Sequence, residues 1–286
     1  YTKETYFEQL QRMNLGSYGG LMAAHAEAHA VWRGHPYKFM FGYRNTRVSG
    51  DWMANCKNVQ HSFNVINTED SKFCQNIISG TKDSYDYTVW GDASERIYEA
   101  VQTGYNCRNV KFSICCWMAN SDVEYSINCH SSSHLFGCVG LRKKEYCIFN
   151  KQYSKEDYAM LREKIIRHMY DMPYTDVRGC VYRYGEFFPP EISPFAYNEA
   201  ISQEYFPLTK DEAIKRGYAW RDPDPSPYKS TIEAKDLPDD ITAVSGSVVN
   251  DIIACSECGK PYRILRQELE FLKQHSISLP HECPEC

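Results

Sequence analysis

The apolar positions change their period twice along the chain. Over residues 1–34 they follow helical spacing: Phe7, Leu10 and Met13 recur three apart behind Thr5, and 21–32 is rich in alanine. Two short helices are predicted there, separated by Asn14-Leu15-Gly16 and Gly19-Gly20. From about residue 51 to 150 the helical period disappears, and short apolar or aromatic runs alternate with Asn, Ser, Asp and Gly. Asn55-Cys56-Lys57-Asn58-Val59 returns 51 residues later as Asn106-Cys107-Arg108-Asn109-Val110. Cys56 and Cys74 lie 18 apart, as do Cys129 and Cys147 with Cys138 midway, and strand-like pieces recur at 110–112, 123–125, 135–136 and 146–149.

Short strands and polar turns repeating every roughly 18–22 residues describe a β-solenoid, whose coils bury their apolar faces only by stacking. Trp90-Gly91-Asp92 and the stretch 93–102 interrupt the spacing and suggest a different element. An irregular β-sandwich with long turns is the competing architecture. The expected fold is therefore mainly β: a β-solenoid-like (β-helix) repeat domain with helical flanks and a C-terminal zinc ribbon.

Helical spacing returns over 154–170, with Ser154 as cap, Glu156 and Asp157 in the first turn, and a stripe of Tyr158, Leu161, Ile165 and Ile166. Such a helix suits the capping of a solenoid end. Residues 171–238 are punctuated by Pro189-Pro190, Pro194, Pro207, Pro223, Pro225 and Pro227, around one short helix opened by the capping box Thr209-Lys210-Asp211-Glu212 and closed by Gly217. Four segments follow: a helical 1–50, a repeat domain 51–153, a capping helix with a Pro-rich extension 154–238, and a ribbon 239–286.

Cysteine supplies the candidate chemistry. Cys255-Ser256-Glu257-Cys258 and Cys283-Pro284-Glu285-Cys286 are two CxxC knuckles with 24 residues between Cys258 and Cys283. Two residues between thiolates place both sulfurs on one tight turn, and two such turns make a closed tetrahedral shell for one structural Zn2+. Gly259 permits the positive φ a knuckle needs. In the spacer, 261–265 can return as a strand and 267–274 can form a short helix. Four thiolates leave no open coordination position, so the expected zinc is not catalytic.

The other nine of the 13 cysteines are expected to be reduced, because a thiolate site argues for a reducing compartment, here the cytoplasm. Cys115, Cys116, Cys129, His130, His134, Cys138 and Cys147 form a second cluster. It reads as thiols pointing into a solenoid core, with a second metal or redox site as the alternative. His25 and His29 share a helix face, but Glu27 projects elsewhere and the metalloprotease signature is absent, so a solvated face is expected.

Composition narrows the function classes. Hydrophobic content of 43% allows a core, 14% aromatic content with 22 Tyr suits half-buried strand faces, and a net charge of −5 calls for no polyanion. Residues 251–286 carry Lys260, Arg263, Arg266 and Lys273 against six acidic side chains, the reverse of a phosphate-gripping ribbon. Arg142-Lys143-Lys144 reads as a solvated turn. No apolar run of about 18 residues predicts a membrane span. The start at Tyr1 and the end on a ligand, Cys286, suggest a piece of a longer protein.

The segments Phe136-Gly137-Cys138-Val139-Gly140-Leu141, Tyr146-Cys147-Ile148-Phe149-Asn150, Ser193-Pro194-Phe195-Ala196-Tyr197-Asn198-Glu199 and Glu204-Tyr205-Phe206-Pro207-Leu208-Thr209-Lys210 carry a resemblance. Over roughly 105–286 the chain resembles an uncharacterised zinc-ribbon family of environmental candidate-phylum bacteria, which combines Cys- and aromatic-rich repeats with knuckles. The resemblance implies architecture and no activity.

The expected role is a non-enzymatic structural or interaction protein that docks a protein partner or copies of itself. The alternatives are a nucleic-acid- or ribosome-associated zinc-ribbon protein, and a carbohydrate-active β-helix enzyme. The enzyme would draw a carboxylate pair from Asp83, Asp86, Asp92, Glu95, Asp122 and Glu124. No phosphate loop or Gly-x-Ser-x-Gly elbow is present.

Overall fold

The computed structural model describes residues 2–222 and 227–286; Pro223 and Pro225 of the Pro-rich segment lie outside them. The chain forms two compact units, Lys38–Arg221 and a second made from Tyr1–Tyr37 together with Asp222–Cys286. The predicted N-terminal helices are α1 (Lys3–Met13), capped by Thr2, and α2 (Tyr18–Gly34), capped by Ser17.

The larger unit is a β-solenoid. Its strands are β1 (Gly42–Tyr43), β2 (Thr46–Ala54), β3 (Lys57–Ile66), β4 (Glu69–Ile77), β5 (Thr81–Lys82), β6 (Tyr85–Gly91), β7 (Ser94–Gly104), β8 (Arg108–Ile114), β9 (Ser121–Glu124), β10 (Ser133–Phe136), β11 (Glu145–Ile148) and β12 (Lys151–Gln152). They make one 12-stranded sheet. Every pairing from β1 to β11 is parallel; β12 turns back antiparallel onto β11.

The register corrects the expected repeat length. Lys57 pairs with Glu69 and Ser133 with Glu145, twelve residues on, whereas Tyr85 pairs with Tyr98 and Arg108 with Ser121, thirteen on. A coil is thus 12 or 13 residues rather than about 18–22. The 18-residue cysteine spacing is one and a half coils, and the 51-residue echo spans four. Residues 93–102 are not a different element: β7 runs straight through them as part of the same sheet.

Within a coil the backbone repeats every third residue. Asn55, Asn58, His61, Asn64, Asn67, Asp70, Phe73 and Asn76 all have positive φ, and the residue after each (Cys56, Val59, Ser62, Val65, Thr68, Ser71, Cys74, Ile77) is buried. One left-handed corner, one inward side chain and one outward side chain therefore make a side, and four sides make a coil. Asn and Asp dominate the corners because their short polar side chains tolerate the left-handed region. They also stack between coils: Asn55 donates to Asn67 (3.1 Å), Asn58 to Asp70 (2.8 Å) and Asn64 to Asn76 (2.8 Å). The thirteen-residue coils after Gly80 add a second left-handed residue at one corner, seen in the pairs Asp92–Ala93, Tyr105–Asn106 and Met118–Ala119.

Three-residue sides leave a narrow interior, filled by Val, Ile, Leu, Cys, Ser and Thr. Buried hydroxyls need partners, and the coil geometry provides two. Ser126 Oγ donates to the Glu124 carbonyl (2.9 Å) and accepts from Cys138 N–H (3.1 Å) one coil on. Ser62, Ser71, Ser84, Ser113 and Ser132 make the same pair of bonds.

The helix predicted over 154–170 is α3 (Lys155–Asp171), capped by Ser154, whose side chain accepts from Asp157 N–H. It lies against successive coils: Tyr158 meets the rings of His134 and Tyr146, and Arg162 reaches Glu124. Beyond it come a short hairpin of β13 (Tyr174–Thr175) and β14 (Val181–Tyr182), then α4 (Ser202–Tyr205) and α5 (Lys210–Lys215) with the predicted capping box at Thr209 and Glu212.

In the other unit β15 (Ile232–Glu233) pairs parallel with β16 (Ile253–Ala254), which pairs antiparallel with β17 (Pro261–Tyr262), and α6 (Arg266–His275) follows. Ala234, Leu237, Ile241, Ile253, Ile264, Leu269 and Leu279 form its core. The turn between α1 and α2 joins this unit: Gly16 C=O accepts from Ile241 N–H (2.8 Å), Leu15 C=O from Ser278 N–H (3.0 Å), and Ser17 Oγ donates to Asp239 (2.6 Å). Among the described residues no helix is long and apolar enough to cross a membrane.

Candidate metal centre

The hairpin β16–β17 and the turn after α6 carry the two predicted knuckles. Backbone bonds shape them: Cys255 C=O accepts from Gly259 N–H, Cys283 C=O from Cys286 N–H, and Cys255 N–H donates to Lys260 C=O, each at 3.0 Å. Gly259 has φ 71°, the left-handed geometry anticipated for it. The Sγ atoms of Cys255, Cys258, Cys283 and Cys286 all lie within 4.8 Å of one another. Cys258 and Cys283 are 3.7 Å apart and Cys283 and Cys286 3.6 Å. A tetrahedral ion with metal–sulfur bonds of about 2.3 Å requires sulfurs about 3.8 Å apart, so the four residues fit one ion.

The hydrogen bonds of the knuckles favour thiolate at Cys255, while the neighbouring sulfurs push Cys286 up. The backbone N–H groups of Cys258 and Cys283 hold the Cys255 thiol down at about 6. Cys283 N–H donates to Cys255 Sγ at 3.2 Å, crossing from one knuckle to the other. Lys260 and Glu285 form an ion pair between the same two turns, and Tyr262 Oη donates to the Pro280 carbonyl (2.6 Å) behind the second. Cys255 and Cys283 are buried while Cys258 and Cys286 are exposed. Among the described residues this is the one group of three or more His, Cys, Asp or Glu side chains spaced to hold an ion.

The second cysteine cluster is core. Cys107, Cys116, Cys129, Cys138 and Cys147 are buried in the solenoid, and Cys115 is half-buried against Gln102. Their thiols donate along the coil: Cys138 Sγ to the carbonyls of Phe136 and Cys147, Cys116 Sγ to those of Ile114 and Ser126. Cys116 and Cys129 stand on neighbouring coils, and the adjacent Cys129 sulfur together with burial pushes the Cys116 thiol up. His130 bonds Asn128 outside the coil, and His134 stacks on Tyr146 at 4.8 Å.

The carboxylates named as enzyme candidates fall on corners or in ion pairs. Asp83, Asp86, Asp92 and Asp122 are corner residues with positive φ, and Glu95 pairs with Arg108 (2.8 Å). Glu124 is buried and receives a two-pronged bond from Arg162 (2.8 and 2.9 Å) plus Tyr184 Oη (2.8 Å). It lies in a cleft of about 590 Å³ that Lys111, Asp122, His134 and Tyr158 help to line. On α2, His25 and His29 project together, with their Nε2 atoms 3.2 Å apart. Arg142, Lys143 and Lys144 are exposed.

An outer aromatic ladder was not anticipated. His61, Phe73 and Tyr85 contact ring to ring on successive coils (5.6 and 5.7 Å), Tyr85 pairs in register with Tyr98, and Tyr98, Phe112 and Tyr125 continue the row (5.4 and 4.6 Å). Tyr184 and Phe188 cover Phe112 and Tyr125, held by Tyr125 Oη, which accepts from Gly185 N–H and donates to Glu186 C=O. Phe73 and Tyr85 stay 45% and 42% exposed. A ring every 12–14 residues was the available signal, hidden because neighbouring positions also carry Tyr, Phe and Trp.

Interior thiols are expected to make the solenoid sensitive to alkali. Burial pushes the Cys74 thiol from an ordinary 9.0 up to about 12. The folded chain keeps a proton that the unfolded chain releases, so this contribution is complete below pH 9 and is lost as pH rises towards 12. The whole loss is on the order of 4 kcal/mol. Cys56, Cys107, Cys138 and Cys147 shift the same way, burial being the first cause in each. The denaturant midpoint should fall between pH 9 and 11, and less steeply in Cys74→Ala. Parallel curves for the two proteins would show that Cys74 does not carry the effect.

Compared with known protein families, curated proteins and solved structures, the chain has no significant match.

Proposed function

We propose that this chain is a non-enzymatic interaction protein whose solenoid presents an aromatic ladder to an extended protein segment, and whose four-cysteine site holds one structural Zn2+. The observation that carries the reading is the half-covered ladder. The chain's own Tyr184-to-Phe188 strap sits on the Phe112 and Tyr125 end, and a second run of rings, Tyr85, Phe73 and His61, linked to the first by the register pair of Tyr85 with Tyr98, stays partly exposed. A strap of like chemistry, from a partner or a second copy, fits the bare rungs. Aromatic faces suit this because they bury large areas at low entropic cost. Lys72, whose ammonium lies 4.5 Å from the Phe73 ring centre and 5.8 Å from that of Tyr85, adds a positive charge for an acidic residue such as Glu186.

Zinc is the ion proposed because four thiolates at tetrahedral spacing match its preferred structural set. Reduced interior thiols support a reducing compartment such as the cytoplasm.

The test uses a fluorescent peptide of the strap, Arg183-Tyr184-Gly185-Glu186-Phe187-Phe188-Pro189, titrated with the whole chain. Saturable binding to the wild type is expected, weakened at least about tenfold in Phe73→Ala/Tyr85→Ala. Because both side chains are exposed, that variant should fold. Equal binding by the two proteins, or none by the wild type, would remove the ladder as the interaction surface.

A further inference from the structure

We propose that α2 carries a second metal site, a solvent-facing two-histidine chelate for a divalent late-3d cation such as Ni2+, Cu2+ or Zn2+. His25 and His29 are four residues apart, one helical turn, and so lie one above the other on the same face. Their Nε2 atoms are 3.2 Å apart with the rings at 78° to each other. Two imidazole nitrogens bound at about 2.0–2.1 Å stand about 2.9 Å apart when cis on a square or octahedral ion and about 3.3 Å apart on a tetrahedral one. The observed separation falls within that span. A ring-to-ring hydrogen bond also gives such a distance, which makes the metal the quantity to measure.

The surroundings fit an exchangeable ion rather than a structural one. Trp32 packs edge-on against His29 (5.1 Å, 73°), restricting that ring from below. His25 and Glu27 are exposed, so the outer side of the pair is open and the remaining coordination positions go to water or to a ligand from another molecule. Neutral imidazole selects nickel, copper and zinc over calcium and magnesium. Two ligands hold an ion far less firmly than the four thiolates do, so this site fills after the cysteine site.

The experiment is equilibrium dialysis of the untagged whole chain against Ni2+, with the cysteine site already loaded with zinc, followed by elemental analysis. We expect one nickel per chain beyond the zinc. His25→Ala and His29→Ala should each weaken its uptake at least tenfold, with helix content and zinc unchanged, while Glu27→Gln binds as the wild type does. No nickel on the wild type would overturn the site. So would nickel that persists in both histidine variants, or nickel that displaces zinc and shows sulfur-to-nickel charge-transfer bands.

Discussion

Cys255→Ser, or stripping the ion with a strong chelator, is expected to unfold the unit formed by the two chain ends while the solenoid keeps its β-structure. The unit has a core of its own around Ile253, Ile264, Leu269 and Leu279, but its strands are only two residues long. Four-thiolate sites contribute apparent binding energies of about 10–16 kcal/mol, as large as the whole stability of an ordinary domain. Loss of one ligand should therefore exceed what the remaining core supplies. Because Gly16, Leu15 and Ser17 bond to the same unit, the turn between α1 and α2 should lose protection together with 227–286. Hydrogen exchange followed by mass spectrometry reads this directly. Unchanged protection after complete metal removal would mean that the fold holds the cysteines together and the ion does not.

Arg162→Leu should be the most damaging single change on the solenoid's flank, costing about 3–5 kcal/mol. The guanidinium makes two bonds to the Glu124 carboxylate, whose side chain is 6% exposed, and Lys111 stands off at 3.7 Å. Removing the arginine leaves a buried charge with Tyr184 and a distant ammonium. Glu124→Leu/Arg162→Leu removes both charges, so its cost should fall well below that of the single variant once the apolar pair packs against Tyr158 and Tyr184. Urea unfolding of the three proteins closes the cycle. If the single variant lost less than about 1 kcal/mol, the pair would be acting as a surface ion pair.

How much of this was legible depended on which periodicity was sought. The four-cysteine cluster was readable, because a CxxC knuckle is local: two residues between the thiols place both sulfurs on one turn. The hairpin and helix of the spacer followed from the same short-range rules, and so did the caps at Ser154 and Thr209. Solenoid architecture was readable from recurring Asn-Cys-x-Asn-Val pieces, but the coil length was not. Spacings between cysteines suggested repeats of about 18–22 residues, whereas Asn55, Asn58, His61 and Asn64 mark corners of period three. Ser62, Thr68 and Ser71, polar in sequence yet buried, broke the hydrophobic pattern that would have exposed this period. The union of the N-terminal turn with the ribbon rests on backbone bonds from Leu15 and Gly16 across more than two hundred residues, for which no local signal exists.

The three-residue side also constrains how such a gene can change length. Losing one codon inside a side would move every later residue of that coil into the preceding slot, so that outward residues such as Lys57 turn to the axis and inward ones fall on the left-handed corners. Replication slippage that copies or drops a whole coil, about 36–39 nucleotides, keeps every corner above its counterpart and lengthens or shortens the stack without a frameshift in burial. The doubled corners at Asp92–Ala93, Tyr105–Asn106 and Met118–Ala119 are where a coil accommodates one extra residue, each directly above the last. Natural length variants of this chain should therefore differ by whole coils, with one-codon differences confined to that one edge.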